Sequence, residues 1–334
     1  MSIILHHTDM DGYCSARIAR DTLLDPFDQM NATFIPYNYK GGLDKINLEG
    51  NKTIIIVDLC CNTEIETLIR RAIAEKINVI HIDHHASGID YYNDHMQDLE
   101  DNELYTKWFS TRESASLLTW IFSFMNDDNK KNADSVQFDF AEDYSSFIMN
   151  NTNKMYGISD ALRYINDNDI FRHQFPESKK FVKGLYSLKR DDIKPWAGIW
   201  NQLLYSADKF SEAKILSDLT IKGEEKIAKE EEEFKRERMN AFKIEIFGTK
   251  ITALNTTKRT ADLFGNAYHE SDIVICFNYT KDRLWAYTLY SDRKKNVLDF
   301  IKDIEKEFLG FVINPGGHPY AGGFSSKHCL FDLI

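Results

Sequence analysis

Thr53-Ile54-Ile55-Ile56-Val57 is β-branched throughout and shows no apolar–polar alternation. A strand of that kind has to be covered on both faces, as in a parallel sheet flanked by helices. It ends at Asp58. A second apolar run, Asn78-Val79-Ile80, leads into His81-Ile82-Asp83-His84-His85 and out through Ala86-Ser87-Gly88, which reads as a small-residue turn. A third, Ile3-Ile4-Leu5, runs into His6-His7-Thr8-Asp9-Met10-Asp11-Gly12, and Tyr13 to Leu24 then carries apolar residues at helical spacing. Thr63-Glu64-Ile65-Glu66 has the pattern of a capping box, followed by Ile65, Leu68, Ile69, Ala72 and Ile73 on one helix face. Successive strand–helix–strand units predict an α/β fold with a doubly wound, mainly parallel sheet.

The remaining chain is less regular. Thr33 to Tyr37 is a candidate strand in which Pro36 marks an end or an edge. Ser110-Thr111-Arg112-Glu113 predicts a second capping box, opening a helix that runs to about Met125. Asn126 to Ser135 reads as a surface loop, and Phe138–Met149 and Tyr156–Asn166 read as helices. Ser211 to Phe242 is dominated by Glu, Lys and Arg, with Gly223 as the only breaker, and predicts a long exposed helix between domains. Beyond it, Lys243–Phe247, Lys250–Leu254, Ile273–Tyr279 and Leu284–Tyr290 are candidate strands, with helices near Ala261–Tyr268 and Val297–Phe308. The expected division is residues 1–195, a helical connector over 196–242, and a smaller α/β domain over 243–334.

A chain of 334 residues is long enough for two cores. Its longest apolar runs fall far short of the ~20 residues of a membrane span. The N-terminus lacks a basic stretch and enters a strand directly, so no signal peptide is read. Five cysteines form neither a CxxC nor a zinc-finger spacing, which suits free thiols in a reducing cytoplasm and argues against a zinc-structural or redox role. A net charge of −11 argues against a sequence-independent grip on long duplex DNA, though not against short anionic substrates held with divalent cations.

The chemistry collects at strand ends. His7, Asp9 and Asp11 follow the first strand, Asp58 another, and Asp83-His84-His85 a third, with the Asp167/Asp169 pair after a helix. Parallel strands deliver such residues to one edge. Any one of these carboxylates alone is more simply a helix cap, but their joint pattern is not. Carboxylates crowded on one rim would repel and be pushed up in pKa. Two divalent cations would remove that cost, and mixed imidazole–carboxylate ligands suit Mn²⁺ best, with Mg²⁺ or Fe²⁺ as options.

His7-Thr8-Asp9-Met10-Asp11-Gly12, Asp58, Asp83-His84-His85 and Asp167/Asp169 resemble the four motifs of the DHH phosphoesterase superfamily. Gly316-Gly317-His318-Pro319-Tyr320-Ala321-Gly322-Gly323 resembles the glycine-rich motif of the DHHA1 domain that often follows. Two departures stand out: His7 where many members have Asp, and Gly322 where Ala is usual. The resemblance implies two metal ions bridged by Asp58, one also held by His7 and Asp9, the other by Asp11, His84 and either Asp167 or Asp169. It implies that Asp83 orients His84, and that His85 faces the phosphate as donor or leaving-group acid. A water activated by both metals would attack phosphorus in line. Gly316, Gly317, His318, Gly322 and Gly323 would bind substrate.

The expected function is therefore a cytoplasmic Mn²⁺-dependent phosphodiesterase, with a DHH domain, a helical connector and a DHHA1 domain. Its expected substrate is a short single-stranded oligonucleotide or a nucleotide, trimmed as in the oligoribonuclease (nanoRNase) branch. Cyclic dinucleotides, 3′-phosphoadenosine 5′-phosphate and a non-catalytic, nucleotide-binding regulatory role are the alternatives. No membrane is expected as partner, and a homodimer is left open.

Overall fold

A computed structural model describes residues 1–125 and 158–333. The segment read as a loop over Asn126–Ser135, the helix over Phe138–Met149 and the start of the Tyr156–Asn166 helix lie outside the described residues. The chain divides into two compact units, Met1–Lys226 and Ile227–Ile334.

In the first unit, β1 (Ser2–His6), β2 (Thr33–Pro36), β3 (Thr53–Val57), β4 (Asn78–Asp83) and β5 (Tyr105–Phe109) form one sheet in the order β2-β1-β3-β4-β5. All neighbouring pairs are parallel. Ile4, Ile55, Val57 and Ile82 enter one core, while Ile3, Leu5, Ile54, Ile56 and Val79 enter the other. Burial on both faces is what the unalternating β3 requires. The first core is closed by α1 (Met10–Leu23), α5 (Ala115–Phe124) and α6 (Asp160–Asp169), the second by α3 (Thr63–Ala74). Pro36 ends the edge strand β2, where a missing N–H costs nothing. The short helix α2 (Pro26–Asn31) precedes that strand.

Local signals misplaced several boundaries. Asn62, not Thr63, caps α3, accepting from Glu64 N and Ile65 N at 2.9 and 3.0 Å. The capping box at Ser110–Glu113 does not form. α5 starts at Ala115, and Asp11 caps it from 104 residues away, taking Ala115 N at 2.8 Å and Ser116 N at 3.0 Å. The Ala86-Ser87-Gly88 turn is instead the first turn of a helix, α4 (Ala86–His95). β5, with Tyr105 and Trp108 buried, had no reading in the sequence.

Helices α7 (Ser178–Leu185) and α8 (Ile199–Leu204) precede the 30-residue α9 (Lys209–Arg238). Gly223 does not break α9.

The second unit carries a six-stranded sheet, in the order β10-β11-β9-β8-β7-β6. Its strands are β6 (Phe242–Ile246), β7 (Thr249–Asn255), β8 (Ile273–Tyr279), β9 (Trp285–Tyr290), β10 (Ile313–His318) and β11 (Ala321–Ser326). Only β7 and β8 pair in parallel. The short helix α10 (Asn266–Glu270) leads into β8, and α11 (Val297–Glu307) buries Val297, Phe300, Ile301 and Ile304 in a core with Ile275, Leu289 and Phe324 of one sheet face. The glycine-rich motif is a β-hairpin, with Gly316 opposite Gly323 and Gly317 opposite Gly322.

Candidate metal centre

The order 2-1-3-4-5 places the reversal of winding between β1 and β3, where such sheets hold ligands beyond the strands' carboxyl ends. β1 delivers His7, Asp9 and Asp11 there, β3 delivers Asp58, and β4 delivers Asp83, His84 and His85. Asp58 takes a left-handed backbone, φ 57°, with its N–H on Ile82 O at 3.0 Å. Asp tolerates that conformation better than most residues, and it turns the chain off the sheet edge.

Two groups of side chains converge. In the first, His7 Nδ1 lies 2.7 Å from Asp9 Oδ2 and 3.7 Å from Asp58 Oδ2. In the second, His84 Nε2 lies 3.2 Å from Asp58 Oδ1, 3.3 Å from Asp169 Oδ2 and 3.9 Å from Asp11 Oδ2. The ligand-type atoms of His7, Asp9 and Asp58, and those of Asp11, His84 and Asp169, each lie within 4.8 Å of one another. Asp58 faces both groups.

Charge follows this crowding. Burial, then Asp9 and Asp11, push the Asp58 carboxyl well above the ordinary range, and burial with Asp11 does the same for Asp169. Burial opposes ionisation of Asp9, but His7 beside it holds it below the ordinary range. Burial would lower His7, yet Asp58 and Asp9 outweigh it and raise the imidazole to about 11. Asp58 Oδ2 and Asp169 Oδ2 are buried without a hydrogen bond. Acceptor oxygens left over among imidazoles fit divalent cations, which remove the repulsion and take up those lone pairs.

The other expected residues separate by role. Asp167 is not in either group: its carboxylate accepts from Gln174 N at 2.7 Å, Phe175 N at 3.3 Å and Ser178 Oγ at 2.6 Å. The resemblance implied that Asp83 orients His84; the hydrogen bonds its carboxylate makes here go to the next residue. Asp83 holds His85, Oδ1 to Nδ1 at 2.8 Å, with its Oδ2 on His85 N at 3.3 Å. Burial opposes ionisation of Asp83, and His85 restores it, leaving the acid below its usual range.

Of the hairpin glycines in the second unit, Gly317 has φ 127°, and a Cβ there would sit 2.5 Å from Gly322 Cα. A Cβ on Gly323 would stand 2.6 Å from Tyr287 O on β9. Close strand packing thus demands glycine at both positions. His318 pairs with Ala321 across the Pro319-Tyr320 turn.

Sequence reasoning overlooked two supports of this centre. Asn166 Oδ1 accepts from Ser114 N at 2.7 Å and its Nδ2 donates to buried Glu113 at 2.7 Å, joining the helix that carries Asp169 to the start of α5. Asn38 Oδ1 stands 3.3 Å from His7 Nε2. The only sequence signal for Asn166 was its place ahead of the acidic pair; Asn38 had none.

Residues 1–149 match the family model described as the DHH family, N-terminal domain. No curated protein matches the sequence. Among solved structures, a DHH-domain protein titled as a member of the s1p family of ribosomal proteins is 14% identical. The match covers 97% of this chain and 82% of that one, with a TM-score of 0.55. RecJ from Thermus thermophilus, solved with Mn²⁺, is 13% identical over 99% of this chain and 50% of that one, TM-score 0.47. CDC45 from Entamoeba histolytica is 9% identical over 99% and 93%, TM-score 0.48. The α/β fold is that of DHH-domain proteins. No helix among the described residues is long and apolar enough to cross a membrane.

Proposed function

We propose that the chain is a two-metal phosphodiesterase, acting on short single-stranded oligonucleotides in the manner of an oligoribonuclease, with Mn²⁺ as its ion. The observation that carries the reading is Asp58: a buried carboxylate at the winding reversal that faces His7 and Asp9 on one side and His84 on the other. The DHH match over residues 1–149 supports the same chemistry.

His7, Asp9 and Asp58 would hold one ion, and Asp58, Asp11, His84 and Asp169 the other. Bound there, the ions supply charge neutralisation for the phosphate and a nucleophile at neutral pH. The chain's own residues do the rest. Asp83 fixes the His85 ring through Nδ1, so that its second nitrogen can hand a proton to the departing oxygen. Asp11 ties its side of the centre to the start of α5, which keeps the carboxylates from spreading. Gly316, Gly317, His318, Gly322 and Gly323, in the hairpin of the second unit, are proposed as substrate-binding residues.

One assay tests the reading. The purified chain with Mn²⁺ is given a dinucleotide, a five-nucleotide strand, a long single strand, a cyclic dinucleotide, 3′-phosphoadenosine 5′-phosphate and pyrophosphate. Preferential cleavage of the first two is expected. Preference for a cyclic or phosphoadenosine substrate would move the specificity, and tight nucleotide binding with no turnover would replace the enzyme by a nucleotide-binding regulator.

A further inference from the structure

His7 can serve an ion through Nδ1 only if its proton resides on Nε2. The atoms around Nδ1 are carboxylate oxygens, Asp9 Oδ2 at 2.7 Å and Asp58 Oδ2 at 3.7 Å, so that nitrogen faces the centre. The ring's other nitrogen faces Asn38 Oδ1 at 3.3 Å. A side-chain carbonyl accepts and cannot donate, so it favours the tautomer with hydrogen on Nε2 and the lone pair on Nδ1.

Asn38 is exposed, and an exposed side chain would ordinarily be a poor orienting group. Here it sits between two anchored tyrosines. Tyr37 gives its N–H to His6 O at 2.9 Å and its hydroxyl to Glu64 at 2.6 Å. Tyr39 accepts the Cys60 N–H on its hydroxyl at 2.7 Å, and its ring lies 6.1 Å from that of His7. Tyr39 also holds a left-handed backbone, φ 53°, an uncommon conformation for a bulky residue. The backbone around Asn38 is therefore fixed from both sides, which limits how far its carbonyl can stray from His7.

We infer that Asn38 is the positioning residue of His7, setting the tautomer that presents Nδ1 to a cation between Asp9 and Asp58. The role rests on the metal-centre reading proposed above. Removing a hydrogen-bond partner of a metal-bound imidazole typically costs about 10–100-fold in metal affinity. Solvent can partly replace Asn38, so about tenfold is expected.

The test uses the full chain and its variants Asn38→Ala and Asn38→Asp. Mn²⁺ affinity is measured by calorimetry. The His7 ring nitrogens are read by ¹⁵N NMR of the chain loaded with diamagnetic Zn²⁺, the His7 signals being assigned by their loss in a His7→Gln variant. The unaltered chain should show Nδ1 bound and Nε2 protonated. Asn38→Ala should bind Mn²⁺ about tenfold more weakly at an unchanged melting temperature, and Asn38→Asp, which keeps an acceptor, should restore both affinity and tautomer. Binding through Nε2, or Mn²⁺ affinity untouched in Asn38→Ala, would overturn the role of Asn38 and leave the metal centre standing. Failure of the unaltered chain to bind Mn²⁺ or Zn²⁺ would overturn both.

Discussion

Asp58 is held where its own charge is unwelcome. Burial and the neighbouring Asp9 and Asp11 act against its ionised form, and one of its oxygens has no hydrogen bond. Asp58→Asn keeps the shape and removes the charge. Turnover should fall by ~10³-fold or more, as expected when a group acting in the transition state is lost, while the melting temperature measured in EDTA should rise, because one repelling carboxylate has gone. A parallel loss of folding would count against this account. Asp167 and Asp169 make the complementary pair. Asp167→Ala strips three acceptor contacts from the turn after α6, and hydrogen bonds to a charged group contribute about 1.5–3 kcal/mol each before compensation. A net loss of ~2–4 kcal/mol in urea unfolding is expected. Asp169→Ala should leave stability in EDTA equal or higher, yet reduce the stabilisation by Mn²⁺, because the group of His7, Asp9 and Asp58 is left intact. The sequence could not choose between these acids, since both end one helix two residues apart. The choice depends on helix phase and on whether Gln174, Phe175 and Ser178 fold back, and neither is encoded at the acids themselves.

Elements show the same division between local and distant causes. β1, β3 and β4 were legible, because unalternating apolar runs have few alternatives. The caps were not: α5 receives its N-terminal acceptor from Asp11, and no window of sequence joins the two. Gly223 is the clearest case. By composition it is a helix breaker, but in the structure it lies within α9 where that helix crosses α7. A Cβ on Gly223 would stand 2.7 Å from Gly184 N and closer still to the carbonyl oxygen of Lys180, while one on Gly184 would overlap the Leu219 carbonyl, 2.6 Å from its carbon. Gly223→Ala sets two effects against each other. Helix propensity favours alanine by ~1 kcal/mol, whereas forcing a methyl against fixed backbone costs about 1–3 kcal/mol or more. The clash should win, with a urea midpoint below that of the unaltered chain. A midpoint raised by the propensity gain would show that the two helices can part without cost.

At the level of the whole chain, the centre concentrates a cost that something must offset. Asp9, Asp11, Asp58 and Asp83 at the sheet edge, with Asp169 from α6, are five acids against three imidazoles: His7 serves Asp9, His85 serves Asp83, and His84 is divided among Asp11, Asp58 and Asp169. A ligand that binds the folded chain alone stabilises it by mass action, about 2.7 kcal/mol at one hundred times its dissociation constant. For a unit of this size each kcal/mol moves the melting temperature by roughly 2–4 °C, so saturating Mn²⁺ should raise it by roughly 5–10 °C over the EDTA-treated chain. General screening cannot imitate this, because buried pairs respond weakly to salt; KCl at matched ionic strength should leave the transition where it was. The gain should vanish in Asp58→Asn, since Asp58 faces both groups, and shrink in Asp169→Ala, since Asp169 belongs to one of them. It should persist in a chain carrying Gly323→Ala, whose altered contact with Tyr287 lies in the second unit and lowers stability with and without the ion alike. A melting temperature indifferent to Mn²⁺, Mg²⁺ and Fe²⁺ would mean that these acids are balanced by protons and imidazoles alone, and the hydrolytic reading would fall with the metal centre.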